Sequence, residues 1–415
     1  MIEQLAKQAE TDCKREFSHI QAIVEKNQKR ILEAFRQNHV SDYHFQSTTG
    51  YGYDDSGRDV LEAVYADVFG AEDALVRPQI VSGTHAISTA LFGLLRPGDE
   101  LLYITGKPYD TLEEVIGTRG SANGTLKDFG IAYDEIPLKD EGVDYDQLKL
   151  QMKPNTRVVG IQRSKGYDDR PSFRIDDIME MCQAVRDINP NVTIFLDNCY
   201  GEFVEDKEPL EAGVDIIAGS LIKNPGGGIV RAGGYIAGKK ELVNACANRL
   251  SAPGLGKETG ATLNMLQELF QGFFLAPHIV GEALKGAVFT SRLLELVGCK
   301  TEPLYNDKRT DLIQSVTFST KEQMIDFCQT IQMYSPVNAH VTPIPSEMPG
   351  YEDDVIMAAG TFIQGASIEL TADGPIRPPY TAFVQGGLTY EHVKIALIEA
   401  VQKMAIPNTT MNMTN

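Results

Sequence analysis

Basic residues are in short supply: 38 Lys+Arg stand against 57 Asp+Glu, a net charge of −19 over 415 residues. A long-range electrostatic footprint for nucleic acid is therefore not expected, nor is attraction to an anionic membrane. Any anionic ligand must be held by local donors. Cysteine is sparse and scattered. Cys13, Cys182, Cys199, Cys246, Cys299 and Cys328 make no Cys-x-x-Cys pair and no metal-ligand spacing, which fits a reducing compartment. The seven histidines show no His-x-x-x-His zinc spacing. No apolar run approaches the length of a membrane span, and Met1–Lys7 lacks the basic-then-apolar pattern of a signal peptide. A cytoplasmic location is the resulting expectation. No Gly-x-Gly-x-x-Gly joins an early strand to a helix, which argues against a nicotinamide dehydrogenase. Gly254-Leu255-Gly256-Lys257-Glu258-Thr259 fails as a P-loop, because Glu258 stands where Ser or Thr is required.

What is present is ordinary globular composition, 42% hydrophobic and 23% charged, in a chain too long for one small core. Phe17, Ile20, Val24, Ile31 and Phe35 recur at the spacing of an amphipathic helix. A glycine- and tyrosine-rich loop follows, from Ser47 to Arg58. Strand patterns then alternate with helical ones: Glu100–Ile104, Tyr133–Ile136, Val158–Ile161, Thr193–Leu196, Ile216–Ala218 and Tyr235–Ala237 as strands, with helices such as Ile175–Arg186 between them. That alternation predicts an α/β domain with a mostly parallel sheet covered on both faces. Beyond about Ala287 the reading is a smaller α+β domain: strands Leu312–Phe318 and Ser367–Leu370, helices Lys321–Met333 and Tyr390–Met404. The expected division is a helix and arm over 1–59, a large domain over 60–286, a small domain over 287–408 and a frayed tail over 409–415.

Two residues carry the chemistry. Asp197 closes the apolar run Val192–Leu196, and Lys223 follows the run Val214–Ala218 in Gly219-Ser220-Leu221-Ile222-Lys223-Asn224-Pro225. At the carboxyl ends of neighbouring strands both would reach the ligand crevice of an open sheet. A lysine amine and a carboxylate suit pyridoxal 5′-phosphate: the amine takes the cofactor aldehyde and the carboxylate keeps the pyridine nitrogen protonated. Burial near other cations is expected to depress the lysine. Ser82-Gly83-Thr84 opens a helix after Gln79–Val81 and would offer N–H groups to a phosphate. Ser220 would add a hydroxyl, and Tyr109 a ring to stack on a planar cofactor. Arg377, between Ile376 and Pro378, has the planar guanidinium that anchors a substrate carboxylate. Taken singly, each has a plainer explanation: a helix cap at Ser82, a turn tyrosine at Tyr109, a surface arginine at Arg377. No metal is expected.

In this order the elements resemble fold type I pyridoxal-phosphate enzymes, in particular the Cys/Met-metabolism group of cystathionine lyases and methionine γ-lyase. More narrowly, Gly50-Tyr51-Gly52-Tyr53-Asp54-Asp55, Ser82-Gly83-Thr84-His85 and Ser220-Leu221-Ile222-Lys223-Asn224-Pro225-Gly226-Gly227-Gly228 are similar to a bacterial subgroup labelled methionine γ-lyase-like or aluminium-resistance protein. The resemblance implies Lys223 as Schiff-base lysine, Asp197 as partner of the pyridine nitrogen and Tyr109 as stacking ring. It further implies phosphate contacts from Gly83, Thr84 and Ser220. Tyr51, Tyr53 and Arg58 would reach the phosphate of a neighbouring subunit, in a homodimer or homotetramer. Three positions depart from the better-known lyases: Ile222 stands before the lysine, Thr84 follows the phosphate-loop glycine, and Gln162–Tyr167 replaces an Asn-Pro-type segment. The implied reaction is elimination at carbon–sulfur in a sulfur-containing amino acid. An aminotransferase on the same scaffold, or a binding or regulatory protein with little turnover, remains open at this point.

Overall fold

The computed structural model describes residues 2–140, 142–166, 168, 170–348, 351 and 353–405. The chain forms two units, Glu25–Pro277 and a second made of Met1–Val24 with His278–Asn415. This division differs from the expected arm over 1–59 and the expected boundary after 286. Residues 1–24 belong with the C-terminal segment because Ala6 and Ala9 are buried in the same core as Phe289 and Leu293. The helices are α1 (Ile2–Asp12), α2 (Lys14–Gln37), α3 (Ser56–Phe69), α4 (Gly83–Leu94), α5 (Asp110–Ile116), α6 (Tyr145–Gln151), α7 (Ile175–Ile188), α8 (Lys240–Leu250), α9 (Leu266–Leu296), α10 (Lys321–Met333) and α11 (Tyr390–Ala405).

In the Glu25–Pro277 unit the strands are β1 (Asp73–Arg77), β2 (Glu100–Tyr103), β3 (Ala132–Glu135), β4 (Thr156–Gln162), β5 (Thr193–Asp197), β6 (Ile216–Ser220) and β7 (Gly234–Gly238). They form one sheet in the order β1-β7-β6-β5-β4-β2-β3. From β3 to β6 every pairing is parallel, and β7 runs against both its neighbours. The sequence dictates this: runs such as Val158-Val159-Gly160-Ile161 and Ile194-Phe195-Leu196 are apolar on both faces, so both faces must be covered. On one face Ile87 and Leu91 of α4 and Val243 of α8 pack with Leu101, Val158, Phe195 and Ile236. Against the other, Tyr235 of β7 stacks on Phe69, and Tyr65 on Phe273, at centroid distances of 5.2 and 3.7 Å. Each such buried side chain contributes about 1.5–3 kcal/mol relative to an exposed one. Gly160 is obligatory, because a Cβ there would meet the Tyr103 ring at 2.6 Å.

Register places the strand ends that matter. Gln162 pairs with Asp197, and Asp197 with Ala218, two residues before Ser220. The carboxyl ends of β4, β5 and β6 therefore form one continuous rim.

The second unit has an antiparallel sheet of β8 (Lys300–Glu302), β9 (Gln314–Thr317), β10 (Val355–Ala358), β11 (Thr371–Pro375) and β12 (Thr381–Gln385), in the order β10-β11-β12-β9-β8. Its core holds Val316, Phe327, Ile331, Ala382, Val384 and Leu397. Helices α10 and α11 match the expected Lys321–Met333 and Tyr390–Met404. The strand expected at Ser367–Leu370 is instead a turn, and β11 begins at Thr371. The Glu369 carboxylate accepts the N–H groups of Phe362 and Ile363 at 2.8 and 2.9 Å, which curls the buried segment back on itself. The expected tail over 409–415 lies outside the described residues. Among the described residues no helix is long and apolar enough to cross a membrane, and no group of three His, Cys, Asp or Glu is placed to hold a metal ion.

Candidate active site

Helix α4 starts at the rim. Ser82 has extended backbone and accepts the His85 N–H at 3.0 Å, so it is the cap its sequence suggested. That leaves the N–H groups of Gly83 and Thr84 at the positive end of the helix dipole, where no intrahelical acceptor exists. Gly83 is pressed onto the strand ends: a Cβ there would lie 3.3 Å from both Cys199 Sγ and Ser220 Cβ. Tyr109 sits at the start of α5. Its N–H donates to Gln162 Oε1 at 2.9 Å, and its hydroxyl donates to Thr84 Oγ1 at 3.0 Å. Ser82, Gly83, Thr84, Tyr109, Asp197 and Ser220 are thus tied to one rim.

Asp197 is buried and accepts the Cys199 N–H at 3.1 Å. Burial pushes its carboxyl up, opposed by the charge of Lys223 and by the bonds from Cys199. The Lys223 amine lies 4.0 Å from the centre of the Tyr200 ring. Burial works against its charge, but Cys199, Tyr200, Asp197 and Tyr109 outweigh it and hold the amine above the ordinary lysine value. The expectation of a depressed lysine is corrected: its neighbours are acidic groups, not cations. Burial also raises the Cys199 thiol and the Tyr109 phenol.

Behind this pair lies a buried polar layer that the sequence reading missed. Glu202 is fully buried and accepts the Tyr235 hydroxyl at 2.8 Å. Burial pushes its carboxyl up to about 8. Its backbone oxygen accepts Asn224 Nδ2 at 2.9 Å, which fixes the residue after the lysine. Arg163, wholly buried, donates to Asn198 Oδ1 at 2.9 Å and to the Gly201 oxygen at 3.0 Å. Gln162 could have been found by the strand-end argument that found Asp197. Tyr200, Glu202 and Arg163 carried no comparable signal.

The remaining expected residues make other contacts. Tyr51 and Tyr53 are exposed and stack on each other at 5.4 Å with 20° between rings. Arg58 is buried; Nη1 donates to the Gly52 oxygen at 2.6 Å and Nε to Asp59 at 3.0 Å. Its guanidinium holds the loop together. Arg377 is in the second unit, exposed and paired with Asp353 at 3.2 Å.

The model of the methionine gamma-lyase family matches residues 2–405. The chain belongs to that family. The Bacillus subtilis protein YnbB is 61% identical over 406 residues, covering 97% of this chain and 96% of its own. A solved structure from Listeria monocytogenes, of a candidate cystathionine beta-lyase involved in aluminum resistance, is 60% identical with a TM-score of 0.96. It covers 97% of this chain and 100% of that one. A carbon-sulfur lyase involved in aluminum resistance from Clostridium novyi is 46% identical with a TM-score of 0.94, covering 97% and 96%. At 17% identity and a TM-score of 0.62, the pyridoxal-5′-phosphate dependent protein YhfS of Escherichia coli shares the fold, covering 92% of this chain and 97% of its own.

Pyridoxal phosphate is the cofactor this family and fold imply, and the residues present fit it. A helix N-terminus whose glycine lies against Ser220 offers donors to a phosphate. A buried carboxylate and a lysine amine lie on the same rim, the donor set the pyridine nitrogen and the aldehyde require.

Proposed function

We propose that the chain is a pyridoxal-phosphate-dependent carbon–sulfur lyase acting on a sulfur-containing amino acid, of cystathionine beta-lyase or methionine gamma-lyase type. The observation that carries this is the meeting of Lys223, Asp197 and Tyr109 at the ends of neighbouring strands. Family membership and the names of the similar lyases support it. When bound, pyridoxal phosphate supplies the electron sink that lets a proton leave the substrate Cα.

Lys223 would hold the cofactor and, once freed, take the Cα proton. Asp197, its carboxylate fixed by the Cys199 N–H, would hold the pyridine nitrogen protonated. Tyr109 would cover the ring. Its raised phenol keeps a proton available for the departing thiol, and Thr84 fixes where that proton points. Ser82, Gly83, Thr84 and Ser220 would hold the phosphate, and Arg377 the substrate carboxylate. The stacked pair Tyr51 and Tyr53 would serve a neighbouring subunit's site in a homodimer or homotetramer, its loop held by Arg58. The enzyme would work in the cytoplasm, where free thiols persist.

The test is product analysis with cystathionine, cystine and methionine, on the parent and on Lys223→Ala. Keto acid, ammonia and thiol should appear together with the parent and fall at least 100-fold in the variant, the scale of losing a catalytic base. Amino-group transfer without ammonia, or no product from any of the three, would sink the assignment.

A further inference from the structure

Tyr200 stands in the left-handed backbone region, at φ +73. A side chain there is crowded, and an aromatic residue adopts it only where its surroundings compel it. The compulsion is visible. Arg163, from the end of β4, donates to Asn198 Oδ1 and to the Gly201 oxygen. Gly201 N–H donates to the Asn198 oxygen at 3.0 Å, closing the turn around Tyr200. Gly201 lies so close to the guanidinium that a Cβ would come within 2.5 Å of Nη1. The lysine loop is tied to the same turn by Asn224 Nδ2 on the Glu202 oxygen. Ring and amine are therefore fixed from both sides, and the outcome is the Lys223 amine over the ring face at 4.0 Å. Around that amine also stand Asp197 and Cys199 at the end of β5, Tyr109 at the start of α5, and Glu202 in the turn.

We propose that Tyr200 is a positioning residue for Lys223: its ring face holds the protonated amine whenever that amine is free, and so fixes where the lysine waits between bond-making steps. This rests on the reading of Lys223 as the lysine that takes the cofactor. The ring acts through the negative face of its π-system, so the hydroxyl is dispensable. Both side chains are partly buried, where such a contact changes a protonation equilibrium by up to about tenfold, roughly one pH unit.

The experiment uses the full chain freed of cofactor, to which pyridoxal phosphate is added across a pH series while visible absorbance is followed. Only the unprotonated amine takes the aldehyde, so the midpoint of the uptake rate reports the amine itself. Tyr200→Phe should keep the parent midpoint, and Tyr200→Leu should lower it by about one pH unit. Phenylalanines of increasing fluorination placed at position 200 keep the ring's shape and deplete its negative face, so they should lower it stepwise. If thermal unfolding shows that Tyr200→Leu does not fold, the fluorinated series decides alone. An unchanged midpoint across that series would overturn the proposal, as would Tyr200→Phe falling as far as Tyr200→Leu. A parent that takes up no pyridoxal phosphate would overturn this and the cofactor reading together. Normal uptake without lyase products would remove only the reaction, leaving the role of Tyr200 standing.

Discussion

At the carboxyl ends of β5 and β6 Asp197, Cys199 and Ser220 are buried along one rim, while in the loop from Tyr51 to Arg58 the aromatic rings face solvent and Asp55 and Arg58 are inside. Both regions use arginine in the same way. Arg163 clamps the turn beside Asp197, and Arg58 clamps the loop through the Gly52 oxygen. What differs is what each clamp presents. The strand ends present acidic and basic groups whose proton affinities their neighbours have moved. The loop presents two stacked, exposed tyrosines. The first gathers titratable groups along one rim; the second displays aromatic surface.

The comparison breaks most sharply at Asp197. Asp197→Asn removes the charge and keeps the shape, so activity should drop by about 10²–10³-fold, the usual loss when one preorganised electrostatic group goes. The fold should hold, with circular dichroism and thermal melting close to the parent. Unchanged turnover would remove Asp197 from the chemistry.

A second, smaller contrast separates clamp from display in the loop. Arg58→Ala leaves the buried Gly52 oxygen without its donor and should cost about 1–3 kcal/mol in chemical denaturation. Tyr51→Ala, at an exposed position, should stay within about 0.5 kcal/mol. If activity nevertheless falls with Tyr51→Ala, the loop serves a site beyond its own unit. Equal stability losses for the two variants would dissolve the distinction.

The smallest effect concerns Glu202. Its carboxyl is raised to about 8 by burial, so the folded protein holds this proton through a range where the unfolded chain has released it. The sign follows: the group favours folding below the ordinary carboxylate range, and that stability is lost as pH rises towards 8. Glu202→Gln cannot ionise, so its melting temperature should decline less than the parent's between pH 5 and 8. Parallel declines would mean that Glu202 is ionised in the native protein.

Much of this was legible in one dimension. The parallel sheet followed from apolar runs at β4, β5 and β6, and the same runs pointed to Asp197 and Lys223 at their ends. Ser82-Gly83-Thr84 was legible as a helix start because capping is local. Failures came where a distant partner intervened. Ser367–Leu370 has the apolar content of a strand, but Glu369 reaches back to Phe362 and Ile363. Lys223 was expected to sit among cations, and its actual neighbours come from residues 109, 197, 199 and 200.

The amino-acid order by itself determined which segments become buried strands, and therefore which residues stand at their carboxyl ends, because hydrophobic period and strand direction are local properties. Tertiary structure alone decided the protonation of those residues and the aim of Tyr200. Both depend on fields and contacts across the sheet, such as Arg163 on the turn at Gly201, between residues that no pattern along the chain brings together.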